Sequence, residues 1–211
     1  MKANCILFDL DGTLLNTNDL VLESLQYTIR THLGKEISAG ELYKYFGQPL
    51  VEIMADLDPD RAGEMVKTYR EYSGEKHDVL TKVFPGVPET LAELKQKNIP
   101  LGVVTSKLRD LANRGLRLFG IEGYFDVFVA FEDTDRHKPD PAPILKALEL
   151  LEYSSGKHVM MVGDSPFDIV CAGNAGVTSA AVEWSLHPKE VLSEYKPNIW
   201  LKRFTDILNY V

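Results

Sequence analysis

The stretch Ile6-Leu7-Phe8-Asp9-Leu10-Asp11-Gly12-Thr13-Leu14 begins as a buried strand and ends in acid. Asn4 to Phe8 includes Cys5, Ile6, Leu7 and Phe8, a short apolar run with no helical stripe, the pattern of a central strand covered on both faces. Asp9 and Asp11 follow, one apolar residue apart, and Gly12 permits a turn that a larger residue resists. Two carboxylates crowded at a strand end repel each other, and a chain tolerates this more easily where a cation or a reacting group sits. Taken alone, the pair is equally well an acidic turn with solvated side chains.

Downstream, Leu22, Leu25, Ile29 and Leu33 mark one helical face, and Gly34 suits its C-cap. Ser38 can cap a helix running to about Tyr45, which Phe46-Gly47-Gln48-Pro49 breaks, and Val51 to Leu57 forms another short one. Asp58-Pro59-Asp60 is a turn, with Pro59 or Asp60 opening a helix that carries Met65, Tyr69 and Tyr72 on one face. No strand pattern falls between Asn18 and about Leu80, so a helical block is inserted just after the first strand.

From Phe84-Pro85-Gly86 onward helix and strand alternate. Strands are expected over Pro100–Val104, Asp126–Ala130, His158–Val162 and Thr178–Val182, with helices over Pro88–Asn98, Leu108–Phe119, from Pro141, and over Pro166–Ala175. Asp140 is expected to cap the helix at Pro141, and Phe204–Val211 closes the chain as a short helix. Apolar strands alternating with helices imply a doubly wound parallel sheet, whose ligands bind outside the carboxyl ends of the strands.

That rule gathers Asp9, Asp11, Thr105-Ser106-Lys107, Lys138 and Asp164 at one sheet edge. Asp9 and Asp164, with the backbone carbonyl of Asp11, can bind Mg²⁺, which prefers oxygen ligands. Asp9 can then attack a phosphoryl group, and Asp11 can protonate the leaving oxygen and activate water. Thr105 or Ser106 can hold phosphoryl oxygens while Lys138 stabilises the charge. Each residue also has a plainer reading: Thr105 and Ser106 as helix caps, and Lys138 and Lys107 as solvated lysines, the reading kept for Lys107. Asp168 lies three residues after Ser165, a capping-box spacing compatible with support of the site.

The chain has 211 residues, a formal net charge of −8 and 45% hydrophobic residues. The acidic balance does not favour nucleic acid as a partner. Cys5 and Cys171 form no C-x-x-C and sit among apolar or small residues, so they are expected to be reduced and buried. The scattered histidines argue against a zinc site. No apolar run approaches membrane length, and the chain enters its first strand directly, so a cytoplasmic protein without membrane partners is expected.

The motifs resemble those of the haloacid dehalogenase superfamily of phosphohydrolases. Asp9-Leu10-Asp11-Gly12-Thr13 is similar to its first motif, Thr105-Ser106 to its second, Lys138-Pro139 to its third, and Gly163-Asp164-Ser165 with Asp168 to its fourth. The resemblance implies a Rossmann-like α/β core over residues 1–15 and 83–211, with residues 16–82 as a helical cap. It implies Asp9 as nucleophile and metal ligand, Asp11 as acid and base, Thr105 or Ser106 on phosphate, Lys138 on charge, Asp164 on Mg²⁺ and Asp168 in support. Leu15-Asn16-Thr17-Asn18, Glu183-Trp184-Ser185-Leu186 and Tyr195-Lys196-Pro197 resemble the bacterial inorganic pyrophosphatases of the PpaX type, related to phosphoglycolate phosphatases. The expected substrate is therefore pyrophosphate, with phosphoglycolate or another small phosphorylated molecule as the alternative. A phosphosugar mutase shares the same core. Gly47 and Gln48 either project onto the substrate from the cap or form a plain interhelical turn.

Overall fold

The computed structural model describes residues 2–153, 156 and 158–211. The strands are β1 (Cys5–Phe8), β2 (Leu15–Asn16), β3 (Lys82–Val83), β4 (Leu101–Val104), β5 (Val127–Val129), β6 (Val159–Gly163), β7 (Thr178–Val182) and β8 (Ile199–Leu201). The helices are α1 (Asn18–Leu33), α2 (Ala39–Leu42), α3 (Leu50–Leu57), α4 (Ala62–Leu80), α5 (Val87–Gln96), α6 (Arg109–Leu118), α7 (Ala142–Leu150), α8 (Pro166–Ala175) and α9 (Lys189–Glu194). Six strands form one sheet in the order β5-β4-β1-β6-β7-β8, with every neighbouring pair parallel.

β1 lies in the middle because all four of its residues are apolar and can be buried on both faces. Side chains alternate along a strand. Ile6 and Phe8 therefore join one core with Leu91 of α5 and Leu116 of α6, while Cys5 and Leu7 join another with Ile144 of α7 and Ala172 of α8. The chain leaves β1 for β4 on one side and reaches β6 on the other. The strand order reverses there, and a crevice opens at the carboxyl ends. Asp9, Thr105 and Asp164 each directly follow one of these three strands.

The helical block has its own apolar cluster, built from Leu25 and Ile29 of α1, Ile53 and Met54 of α3 and Met65 of α4. Gly34 ends α1 in the left-handed region, with φ +62° and its N–H donating to the Arg30 carbonyl at 3.1 Å. The block begins and ends at a two-stranded antiparallel ladder, where Leu15 faces Val83 and Asn16 faces Lys82.

Several boundaries differ from expectation. α4 starts at Ala62 rather than at Pro59 or Asp60, because the Asp58 carboxylate accepts the Asp60 and Arg61 N–H groups at 3.1 Å and holds those residues in a turn. Pro141, not Asp140, is the cap residue of α7, although Asp140 Oδ1 still accepts the Ala142 N–H at 2.9 Å. The C-terminal helix is a 3-10 helix over Phe204–Tyr210. β3, β8 and α9 are too short to leave a periodic signal. Cys5 and Cys171 are free and buried.

Candidate active site

Asp9 is fixed at the end of β1 by its backbone, whose N–H donates to the Val162 carbonyl at 2.9 Å. Its side chain is 7% exposed, and Oδ1 accepts Lys138 Nζ at 2.6 Å. The same ammonium donates to Asp168 Oδ1 at 2.6 Å. Lys138 is thus a buried bridge rather than a solvated lysine. Asp168 is committed on its other oxygen too, since Oδ2 accepts the Ser165 N–H at 3.0 Å and hydroxyl at 2.6 Å. The capping box at the start of α8 and the ion pair to Lys138 are one connected structure.

Asp164 follows β6 and is 5% exposed. Thr13 donates to its Oδ1 at 3.3 Å. Gly12 has φ +84°, and a Cβ built there would lie 2.3 Å from Asp164 Oδ2, so both the turn and the close approach require glycine. Gly163 is needed for a similar reason, since its Cβ would lie 2.3 Å from that of Asp168. Ser185 Oγ donates to the Asp164 carbonyl at 2.5 Å, tying the loop after β7 to this residue.

Carboxylate oxygens of Asp9, Asp164 and Asp168 lie within 4.8 Å of one another. Burial pushes the Asp9 carboxyl up to about 7, against the pull of Lys138. Asp164 is pushed well above the ordinary carboxylate range by burial, with the charges of Asp9 and Asp168 adding to it. Burial opposes the Lys138 charge, but Asp168 and Asp9 outweigh it and hold the ammonium above the usual lysine value. Three carboxylates face one ammonium, so two negative charges go uncompensated when all are ionised. A divalent cation with a preference for oxygen ligands fits that charge and donor set. Asp9 and Asp164 can hold it, because Asp168 has both oxygens engaged.

Asp11 lies beside this cluster with its side chain 28% exposed. Its Oδ1 accepts Thr17 Oγ1 at 2.8 Å and Lys107 Nζ at 2.9 Å. The expectation of a solvated Lys107 is therefore wrong: its side chain is only 14% exposed and reaches back from β4 to Asp11. Thr105 is buried, and its Oγ1 accepts the Lys107 N–H at 3.2 Å. Neither Thr105 nor Ser106 caps α6, whose cap residue is Leu108.

A cavity of about 140 Å³ opens in front of these residues, some tenfold the roughly 10–15 Å³ that one water requires. Asp9, Asp11, Thr105, Ser106, Lys107 and Asp164 line one side. Residues of the helical block, among them Leu20, Val21, Gly47, Gln48, Leu50 and Val51, line the other. Gly47, at φ +90°, sits so close to Ser165 that a Cβ would lie 2.8 Å from that side chain. His187 Nε2 meets the Phe46 carbonyl at 3.3 Å, a second link from this loop, here to the segment between β7 and α9. The Gln48 amide donates to the Lys44 carbonyl at 3.1 Å, within its own turn.

The family model for haloacid dehalogenase-like hydrolases matches residues 6–182. The chain belongs to this family. Over 211 residues it is 48% identical to PpaX of Caldanaerobacter subterraneus subsp. tengcongensis, covering 100% of this chain and 96% of that one. Pyrophosphatase PpaX of Bacillus cereus (strain G9842) is 38% identical over 208 residues, covering 99% of this chain and 96% of that protein. Among solved structures, a haloacid dehalogenase-like family hydrolase of Streptococcus pneumoniae superposes with a TM-score of 0.87 at 26% identity, covering 99% and 98% of the two chains. A predicted phosphoglycolate phosphatase of Haemophilus somnus 129PT gives 0.86 at 25% identity, covering 99% and 98%. Haloacid dehalogenase-like membership fits the parallel-sheet α/β architecture observed here and is consistent with the buried acidic cluster as a metal centre.

Proposed function

We propose that this hydrolase is a Mg²⁺-dependent phosphohydrolase that works through an aspartyl-phosphate on Asp9, with pyrophosphate as its substrate. The observation that carries this reading is the bridge from Asp9 through Lys138 to Asp168, with Asp164 in the same buried cluster. It combines a nucleophile held in place, a fixed cation and a pair of acids fit for a metal. The names of the PpaX relatives support pyrophosphate over other phosphoryl compounds.

Lys138 holds Asp9 Oδ1, which leaves Oδ2 without a hydrogen bond among the described residues. Oδ2 attacks phosphorus, the bond to the leaving oxygen breaks, and Asp11 gives that oxygen a proton. Asp11 then takes a proton from water, whose oxygen attacks the phosphorus of the aspartyl-phosphate and releases phosphate, restoring Asp9. Thr17 and Lys107 position Asp11 through Oδ1, and Oδ2, uncommitted among the described residues, is the oxygen that gives and then takes the proton. Thr105 and Ser106 bind phosphoryl oxygens, and Lys138 offsets their charge. When bound by Asp9, Asp164 and the Asp11 carbonyl, Mg²⁺ supplies charge neutralisation between carboxylate and phosphate. Residues 16–82 act as a cap on the core of residues 1–15 and 83–211, and Gly47 and Gln48 bring its loop to the substrate.

The apolar wall of Leu20, Val21, Leu50 and Val51 favours a second reading, a small organic phosphomonoester such as 2-phosphoglycolate. Phosphate release with Mg²⁺ from pyrophosphate, 2-phosphoglycolate and sugar phosphates tests both. Pyrophosphate is expected to rank first, and a rank far below the others overturns that assignment.

A further inference from the structure

The face of α4 that borders the cavity carries Tyr69, Arg70 and Ser73, at the three- and four-residue spacings that place side chains side by side on a helix. Arg70 is unusual among the eight arginines of the sequence. Each of the others is ion-paired with a carboxylate, as Arg114 is with Asp78 and Arg117 with Glu122, both at 2.9 Å. Arg70 has no carboxylate or carbonyl partner among the described residues, in a chain with a surplus of acids. The other cation lining the cavity, Lys107, is already engaged by Asp11.

Ser73 repeats the pattern. Buried serines and threonines within a helix commonly turn their hydroxyl back to the carbonyl four residues earlier. Ser24 does so to Leu20 at 2.6 Å, and Thr28 to Ser24 at 2.7 Å. Ser73 is 6% exposed, lines the cavity and makes no such bond among the described residues. A guanidinium and a buried hydroxyl, both unpaired among the described residues, thus stand on one wall. The nucleophile Asp9 stands on the other.

We propose that Arg70, assisted by Ser73, binds an acidic group on the leaving side of the substrate. The substrate class is then a phosphoryl compound whose leaving group itself carries acid oxygens, a second phosphoryl or a carboxylate. The planar guanidinium offers either group two parallel N–H donors. This inference rests on the phosphohydrolase reading above and adds to it a specificity residue supplied by the helical block. It also explains how a cavity lined by Asp9, Asp11 and Asp164 admits a multiply charged anion.

The test is kcat and KM at fixed Mg²⁺ for the wild type, Arg70→Gln and Arg70→Lys. The substrates are pyrophosphate, 2-phosphoglycolate and p-nitrophenyl phosphate, whose leaving group bears no acid. Arg70 is exposed, so its variants are expected to fold. Arg70→Gln is expected to lose roughly 10- to 100-fold in kcat/KM on the preferred acid-bearing substrate, mainly through KM, as for a lost charge-assisted hydrogen bond. Its loss on p-nitrophenyl phosphate is expected to be far smaller, and Arg70→Lys recovers part of the binding. Whichever acid-bearing compound loses more identifies the group bound. Equal losses on all three substrates, or no loss on either acid-bearing one, overturn the proposal. A wild type that prefers p-nitrophenyl phosphate to both also overturns it while leaving the phosphohydrolase reading intact. No phosphate release from any of the three overturns that reading itself.

Discussion

Replacing Lys138 by methionine tests whether the buried bridge holds the site together. Methionine keeps the apolar stem of the side chain at nearly the same length and removes the ammonium. The lysine side chain is 2% exposed, as is that of Asp168, and that of Asp9 is 7% exposed, so water cannot replace the lost partner. Removing one member of a buried ion cluster costs about 3–5 kcal/mol. The lower end applies here, because burial already raises the Asp9 carboxyl to about 7 and it can take up a proton once its ammonium is gone. A cost of about 3 kcal/mol, at about 2–4 °C per kcal/mol for a chain of this size, lowers Tm by about 6–12 °C. The assay is thermal unfolding followed by circular dichroism at pH 7.5 in a metal chelator, with Lys67→Met as control. Lys67 has a side chain that is 78% exposed, and its loss is expected to change stability by no more than about 0.5 kcal/mol. Adding Asp168→Asn to Lys138→Met is expected to return part of the loss, since one uncompensated carboxylate is then removed. A Tm for Lys138→Met no lower than that of the Lys67 control refutes the bridge as described.

Lys107→Met removes one of two donors on Asp11 Oδ1 and is expected to lower kcat roughly tenfold with little change in Tm, measured by phosphate release and thermal unfolding. Mg²⁺ at about a hundred times its Kd is expected to stabilise the wild type by about 2.7 kcal/mol, and Asp164→Asn to lose most of that shift, read by thermal unfolding against metal concentration. The His187 imidazole is held below its ordinary 6.5 by burial, with the Phe46 carbonyl and Asp168 opposing. A depressed pKa means that the unfolded chain takes up this proton first, so the contribution is intact above about 6.5 and is lost as pH falls through the folded value. Urea unfolding of the wild type and His187→Gln is therefore expected to show a stability difference that moves against the wild type below pH 6.5.

The sheet and the acidic end of β1 were legible because each signal is local. Cys5–Phe8 is a continuous apolar run, and the acids Asp9 and Asp11 behind it mark where the strand ends. Ser165 and Gly176 bracket α8 by capping chemistry that sequence spacing reveals. β3 left no mark, because a two-residue strand of one exposed and one half-buried residue has no period, and it forms only when the chain returns to Leu15. Lys107 and Lys138 share a residue type normally found in water, and both are drawn inward by acids distant in sequence, Asp11 for the one and Asp9 and Asp168 for the other. Lys138 was recovered through its motif, and Lys107 was not, although it follows Thr105-Ser106 directly. Arg70 gave no signal at all, since its isolation from carboxylates exists only once α4 is packed.

The central claim is that Asp9 carries the reaction, and Asp9→Asn measures it most directly. Asparagine keeps the shape of the side chain and removes the nucleophilic carboxylate from a cluster with surplus negative charge. With purified protein, Mg²⁺ and pyrophosphate or 2-phosphoglycolate, the variant is expected to retain a cooperative thermal transition at or above the wild-type Tm and to release no phosphate above the protein-free blank. Substantial phosphate release by the folded variant would contradict the account, because another group would then have to attack phosphorus.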